Sequence, residues 1–210
     1  MTDVFSCPIC TLRTPNGYDI VYADFPAPYT AFGTAKLPYA PMTEREIATF
    51  DWSQWTAKRC VVFCWVTGPK ADVMFRCFEQ WRARHGLHYQ GVAYVWIKTT
   101  QAGTPIKASG PRPRLVKPLD EFVVALSTTP NGRTFPLLTE SQVQHVFAPK
   151  AKRGEHSRKP AQVRYNIVEL LGDRPRVELF ARERVPGWDA WGDEAPSECS
   201  CDARFAEIDG

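Results

Sequence analysis

Apolar residues gather along this chain in short runs that alternate with stretches of helical periodicity, the pattern a parallel α/β sheet requires. Residues 18–23, Tyr-Asp-Ile-Val-Tyr-Ala, read as a buried strand. A helix opens after Met42, where Thr43 and Glu46 are spaced for a capping box. Residues 59–66 predict the next strand, and 70–85 a helix whose Val73, Met74, Cys77, Phe78 and Trp81 share one face. Strands over 92–98 and 121–127, a helix over 159–171 and a last strand over 177–181 complete the reading. No internal repeat is present. The expected class is α/β, with a mostly parallel sheet and helices on both faces.

The first strand ends on a carboxylate, Asp24, followed by Phe25, Pro26, Ala27, Pro28 and Tyr29. Open α/β sheets bind their ligands beyond the carboxyl ends of the strands, so Asp24 is placed for chemistry. Residues 99–118 form a long segment rich in Gly, Pro and basic side chains, with Lys107, Arg112, Arg114 and Lys117 suited to phosphate contacts. Lys150, Lys152, Arg153 and Arg158 make a second basic segment. Either alone reads as a solvated turn; two beside one pocket point to nucleic acid.

Composition fits one domain. The chain has 210 residues, 44% hydrophobic and 12% aromatic, enough for a sizeable core, and its net charge of +3 says little about partners. No apolar run approaches the ~18 residues that cross a bilayer, and no basic segment precedes a hydrophobic one at the start, so the expectation is a cytoplasmic protein without a membrane anchor. Seven cysteines are then expected as reduced thiols, with Cys60, Cys64 and Cys77 packing as small hydrophobes. Cys7-Pro-Ile-Cys10 has metal-ligand spacing, and Cys199 and Cys201 would complete a zinc site if the termini met. Cys-x-Cys is an unusual zinc half, so the expectation is no metal. Trp188 and Trp191 read as core caps over the last strand.

Phe63-Cys-Trp-Val-Thr67, Val95-Trp-Ile-Lys98, His156-Ser-Arg-Lys-Pro160, Glu178-Leu-Phe-Ala-Arg182 and Gly187-Trp-Asp-Ala-Trp-Gly192 together resemble the MT-A family of adenine-N6 methyltransferases across roughly residues 17–194. The resemblance implies a Rossmann-like class-I methyltransferase sheet with permuted motif order, using S-adenosylmethionine. It also implies a methyltransferase domain over 15–195, flanked by tails 1–14 and 196–210. The acceptor would be adenine in nucleic acid, DNA ahead of RNA, and a homodimer or a partner subunit is compatible with the family.

The family's Asp-Pro-Pro-Trp tetrapeptide is Asp24-Phe-Pro-Ala27 here. By resemblance, Asp24 and a proline carbonyl, here that of Pro26, accept the two amine hydrogens of the base. Ala27 stands where the family stacks an aromatic, and Phe25 or Tyr29 could supply a substitute ring, unless Phe25 turns into the core. Losing one stack costs about 1–3 kcal/mol, which weakens binding but leaves the acceptors in place. On the donor side, the resemblance places His156, Ser157 and Lys159 at a helix start facing the methionine carboxylate, Glu178 on the ribose hydroxyls, and Arg182 and Asp193 around the adenosine. The alternatives are a catalytically silent relative that binds nucleic acid or a partner, and a transferase acting on RNA or another base.

Overall fold

The computed structural model describes residues 16–27, 41–106, 121–139, 144–149 and 158–192. Tyr29, Lys107, Arg112, Arg114, Lys117, His156, Ser157, Asp193 and the outer cysteines Cys7, Cys10, Cys199 and Cys201 lie outside them, as do Lys150, Lys152 and Arg153.

The described strands are β1 (Tyr18–Ala23), β2 (Thr56–Thr67), β3 (His88–Thr99), β4 (Glu121–Ser127), β5 (Gln144–Pro149), β6 (Arg176–Leu179) and β7 (Asp189–Trp191). The helices are α1 (Glu44–Ala48), α2 (Ala71–His85) and α3 (Ala161–Leu171). The strands form one sheet in the order β5-β3-β4-β2-β1-β6-β7. Only β4 runs against its neighbours among these strands; every other pairing is parallel.

Period-two alternation sorts the strands' side chains onto two faces. Cys60, Val62, Cys64 and Val66 of β2 join Val21 and Ala23 of β1 under α1 and α2, where Ile47, Met74, Cys77, Phe78 and Trp81 are buried. Val61, Phe63 and Trp65 face the other way, with Ile20, Tyr22, Tyr94, Trp96 and Val123, under Val163 and Ile167 of α3. Cys60, Cys64 and Cys77 are buried within the first of these layers.

Local signals explain most boundaries. Thr43 Oγ1 accepts the Glu46 amide while the Glu46 carboxylate accepts the Thr43 amide, which closes the capping box at the start of α1. Gly86, left-handed at φ 65°, ends α2. α3 begins at Ala161 with Pro160 as its N-cap, two residues later than the periodicity predicts. The expected strand over 177–181 stops at Leu179, because Phe180 adopts φ 60° and turns the chain out of extended geometry.

It is not the last strand either: β7 follows, three residues too short to show alternation. β5 also escapes the sequence pattern, being an edge strand in which only Val146 is buried. Trp188 is buried against Tyr22, and Trp191 packs on Trp55 and Phe180. No described helix is long and apolar enough to cross a membrane.

Candidate active site

Asp24 sits one residue past the end of β1, between the central β2 and β6. Its face follows from alternation. Tyr22 packs on the α3 side and Ala23 on the α2 side, so Asp24 belongs to the α3 side and Phe25 to the other. Phe25 is accordingly 6% exposed, with its ring centroid 4.7 Å from that of Phe180 and 5.2 Å from those of Phe50 and Trp81. The ring suggested as a substitute stacking surface is therefore a core residue. Ala27 is half-buried against the same layer.

Four charges alternate along this edge. Lys159, just before α3, places Nζ 3.1 Å from Asp24 Oδ2 and 2.7 Å from Glu121 Oε2. Glu121 Oε1 in turn lies 2.6 Å from Lys98 Nζ. Because β4 is antiparallel, its first residue pairs with Thr67 at the end of β2 and with Trp96 near the end of β3, and this brings Glu121 to the same edge as Asp24 and Lys98. Tryptophan rings floor the cluster, with Lys159 Nζ 5.1 Å from the centroid of Trp65 and Lys98 Nζ 4.9 Å from that of Trp96.

Burial and pairing compete at each acid, and the number of cations decides the outcome. Burial raises the Glu121 carboxyl, but Lys159 and Lys98 outweigh it and hold the group below its usual range. Asp24 has one close ammonium, and burial, helped by the neighbouring Glu121 charge, keeps its carboxyl raised despite Lys159 and the more distant Arg182. Lys159 is disfavoured as a cation by burial, yet its two carboxylates hold its ammonium above the ordinary lysine value. The resemblance turns Lys159 toward a methionine carboxylate; in the structure its side chain is 8% exposed and its ammonium is turned to two carboxylates of the chain itself.

Pro26 and Phe25 carry the nearby carbonyls. The Pro26 carbonyl accepts the Met42 amide at 2.8 Å, and that of Phe25 accepts the Ala27 amide at 2.7 Å. Each oxygen keeps a second lone pair.

One strand over, Glu178 pairs in register with Tyr22 and so faces the α3 side beside Asp24. Both its oxygens accept from Arg164 Nη1, at 2.8 and 3.1 Å. Burial raises the Glu178 carboxyl, and Arg164 works against that rise. Arg182 follows on the same chain turn, near enough for its charge to reach Asp24. Glu121, Lys98, Arg164 and Trp65 were not picked out from sequence as site residues. A usable signal existed for Glu121 alone, a charged residue opening an otherwise apolar strand.

An open sheet with one reversed strand, helices on both faces and an acid beyond a central strand is a Rossmann-like methyltransferase fold. The chain belongs to the MT-A70 family of methyltransferases, which it matches over residues 18–194. It is similar to the type II methyltransferase M.MunI of a Mycoplasma species, 30% identical over 167 residues that cover 78% of this chain and 62% of that protein. It is also similar to the N6-methyladenosine RNA methyltransferase MTA1 of Pyricularia oryzae, 31% identical over 141 residues, 66% of this chain and 35% of that protein. The chain thus spans less than two thirds of the length of either relative.

Proposed function

We propose that this chain transfers a methyl group from S-adenosylmethionine to the exocyclic N6 amine of adenine in nucleic acid, with DNA the first acceptor to test. The observation that carries the reading is Asp24, ion-paired to buried Lys159 at the carboxyl edge, with Glu178 on the adjoining strand.

The chemistry asks for acceptors at that position. The lone pair of the adenine amine is delocalised into the ring, and hydrogen-bonding the two amine hydrogens localises it for attack. Asp24 accepts one hydrogen when ionised, and Lys159 works against the rise that burial gives its carboxyl. A carbonyl of the turn, that of Pro26 in the family pattern, accepts the other through its unused lone pair. Methylation releases one proton, and the burial-raised Asp24 carboxyl is placed to take it. The bound donor supplies an electrophilic methyl on a sulfonium.

The donor-side residues fit such a molecule. Glu178, 13% exposed, is an ionisable acceptor anchored on one side by Arg164, which leaves oxygen lone pairs for a ribose diol. His156, Ser157, Arg182 and Asp193 complete the donor set by resemblance. Lys107, Arg112, Arg114 and Lys117 would contact backbone phosphates, and Tyr29 is the remaining candidate for base stacking. DNA follows the resemblance to bacterial and phage members; the name of MTA1 supports the RNA alternative. One observation favours a silent relative: Phe25, a candidate substitute for the stacking aromatic, is buried in the core.

Transfer of labelled methyl from S-adenosylmethionine to unmethylated DNA and, separately, RNA, followed by nucleoside digestion and mass spectrometry, tests the proposal with Asp24→Ala as control. N6-methyladenine in one pool, lost in the variant, is the expected result. Donor binding without a methylated nucleoside in either pool would move the assignment to the silent relative.

A further inference from the structure

Arg164 occupies a position on α3 where helical periodicity calls for an apolar residue: its side chain is 8% exposed, between the buried Val163 and Ile167. Nη1 bridges both oxygens of Glu178, and Nη2 lies 2.8 Å from Oε1 of Glu183, whose other oxygen accepts from Arg158. Its Nε is buried without a hydrogen-bond partner among the described residues. A buried ion pair is weak evidence of stabilisation, since apolar residues of similar volume often do as well. An arginine kept here at the cost of an orphaned donor is better explained by what it does to Glu178.

We infer that Arg164 is a positioning residue for the methyl donor, fixing the Glu178 carboxylate in place and keeping it charged for the ribose hydroxyls, with Glu183 bracing the guanidinium from the far side. The inference rests on the role proposed above for Glu178. The planar guanidinium has a fixed donor geometry and is always charged, so it orients the carboxylate as well as neutralising it. The groups facing Glu178 are Arg164 from α3, Tyr22 and Asp24 from β1 and its end, and Glu183 from the segment after β6. Among these, Arg164 is the single cation. Without it, burial and two neighbouring carboxylates would all push the Glu178 proton on.

The test is calorimetric binding of S-adenosylmethionine and S-adenosylhomocysteine to the full chain between about pH 6 and 9, a window spanning the range in which a strongly raised carboxyl titrates. The variants are Arg164→Met, Arg164→Lys and Glu178→Gln. Arg164→Met is expected to weaken binding about tenfold at the acid end, with the deficit narrowing as pH rises and Glu178 ionises. Arg164→Lys should restore the wild-type pH profile with part of the affinity, and Glu178→Gln should be weak at every pH. Arg164→Met with the affinity and pH profile of the wild type, beside a weakened Glu178→Gln, would overturn the role of Arg164 alone. Glu178→Gln binding as tightly as wild type would instead remove the ribose assignment beneath it. If Arg164→Met does not fold, Glu183→Gln is read in its place: roughly threefold weaker donor binding supports the brace, and unchanged affinity overturns it.

Discussion

Lys159 Nζ stands 3.1 Å from Asp24 Oδ2, so a residue just before α3 neutralises a carboxylate at the end of β1, more than a hundred residues earlier in the chain. The same ammonium is 2.7 Å from Glu121 Oε2. One buried cation therefore serves two acids, and removing it affects both.

Replacing Lys159 by Met takes from Asp24 its close ammonium and leaves Glu121 with Lys98 alone among the described residues, at a largely buried edge. Breaking a buried pair by deleting one partner costs about 3–5 kcal/mol, and a matching fall in the urea midpoint is the expected result. Function should respond in pH as well. Asp24 must be ionised to accept an amine hydrogen, and its carboxyl is already raised by burial. The acid limb of kcat is thus expected above the ordinary carboxylate range in the wild type, and further toward neutrality in Lys159→Met. A limb that does not move would separate Lys159 from the ionisation of Asp24.

Glu121 predicts the opposite sign to Asp24. Its folded carboxyl lies below the ordinary value of 4.5, so between the two values the unfolded chain binds more protons and stability rises with pH. That contribution is fully present above 4.5 and lost as pH falls through the lower folded value. Asp24, raised on folding, contributes stability at low pH that is lost as pH rises through its folded value. Glu121→Gln should be less stable than wild type by about 3 kcal/mol at neutral pH, because Lys98 loses its carboxylate and Lys159 one of two. The gap should close below pH 4.5, and chemical denaturation at a series of pH values measures it.

Phe25 offers a test that separates a packing role from a base-stacking one. Its ring touches Phe50, Trp52, Trp81 and Phe180, so Phe25→Ala opens a cavity in the α2-side core at a cost of about 3–5 kcal/mol. Under permissive conditions the folded variant should keep the KM of the wild type for nucleic acid. A ring that stacks on the base would give the reverse, a roughly ten- to hundredfold higher KM with little loss of stability.

The orientation of Phe25 was available from sequence, since a residue one step beyond Asp24 on an extended chain must face the other side. So were the α2 face, the capping box at Thr43 and Glu46 and the span of β4, because each is set by neighbours a few positions away. The ion network was not. Lys98, Glu121 and Lys159 meet only because β4 runs antiparallel, and strand direction is not encoded in the apolar pattern of residues 121–127. β5 and β7 were missed for a different reason: one edge strand buries a single side chain, and the other has three residues.

Gly192 closes the aromatic-rich block at the end of β7, and its side of the chain has no room for a methyl group. A Cβ there would stand 2.5 Å from the Ala181 carbonyl oxygen and 2.6 Å from the Ala181 nitrogen, backbone atoms that cannot swing aside. The Ala181 amide donates to the Trp191 carbonyl at 2.9 Å, so the same approach that excludes a side chain holds β7 to the segment carrying Glu178 and Arg182. Gly192→Ala is expected to push this edge apart, costing about 1–3 kcal/mol and loosening the packing of Trp191 on Trp55 and Phe180. Hydrogen exchange should report it locally, with protection lost first at the Ala181 amide and the central strands unaffected. Donor affinity should fall with it if Glu178 and Arg182 bind the donor, whereas a loss of protection at Ala181 with unchanged affinity would show that the site does not depend on this edge.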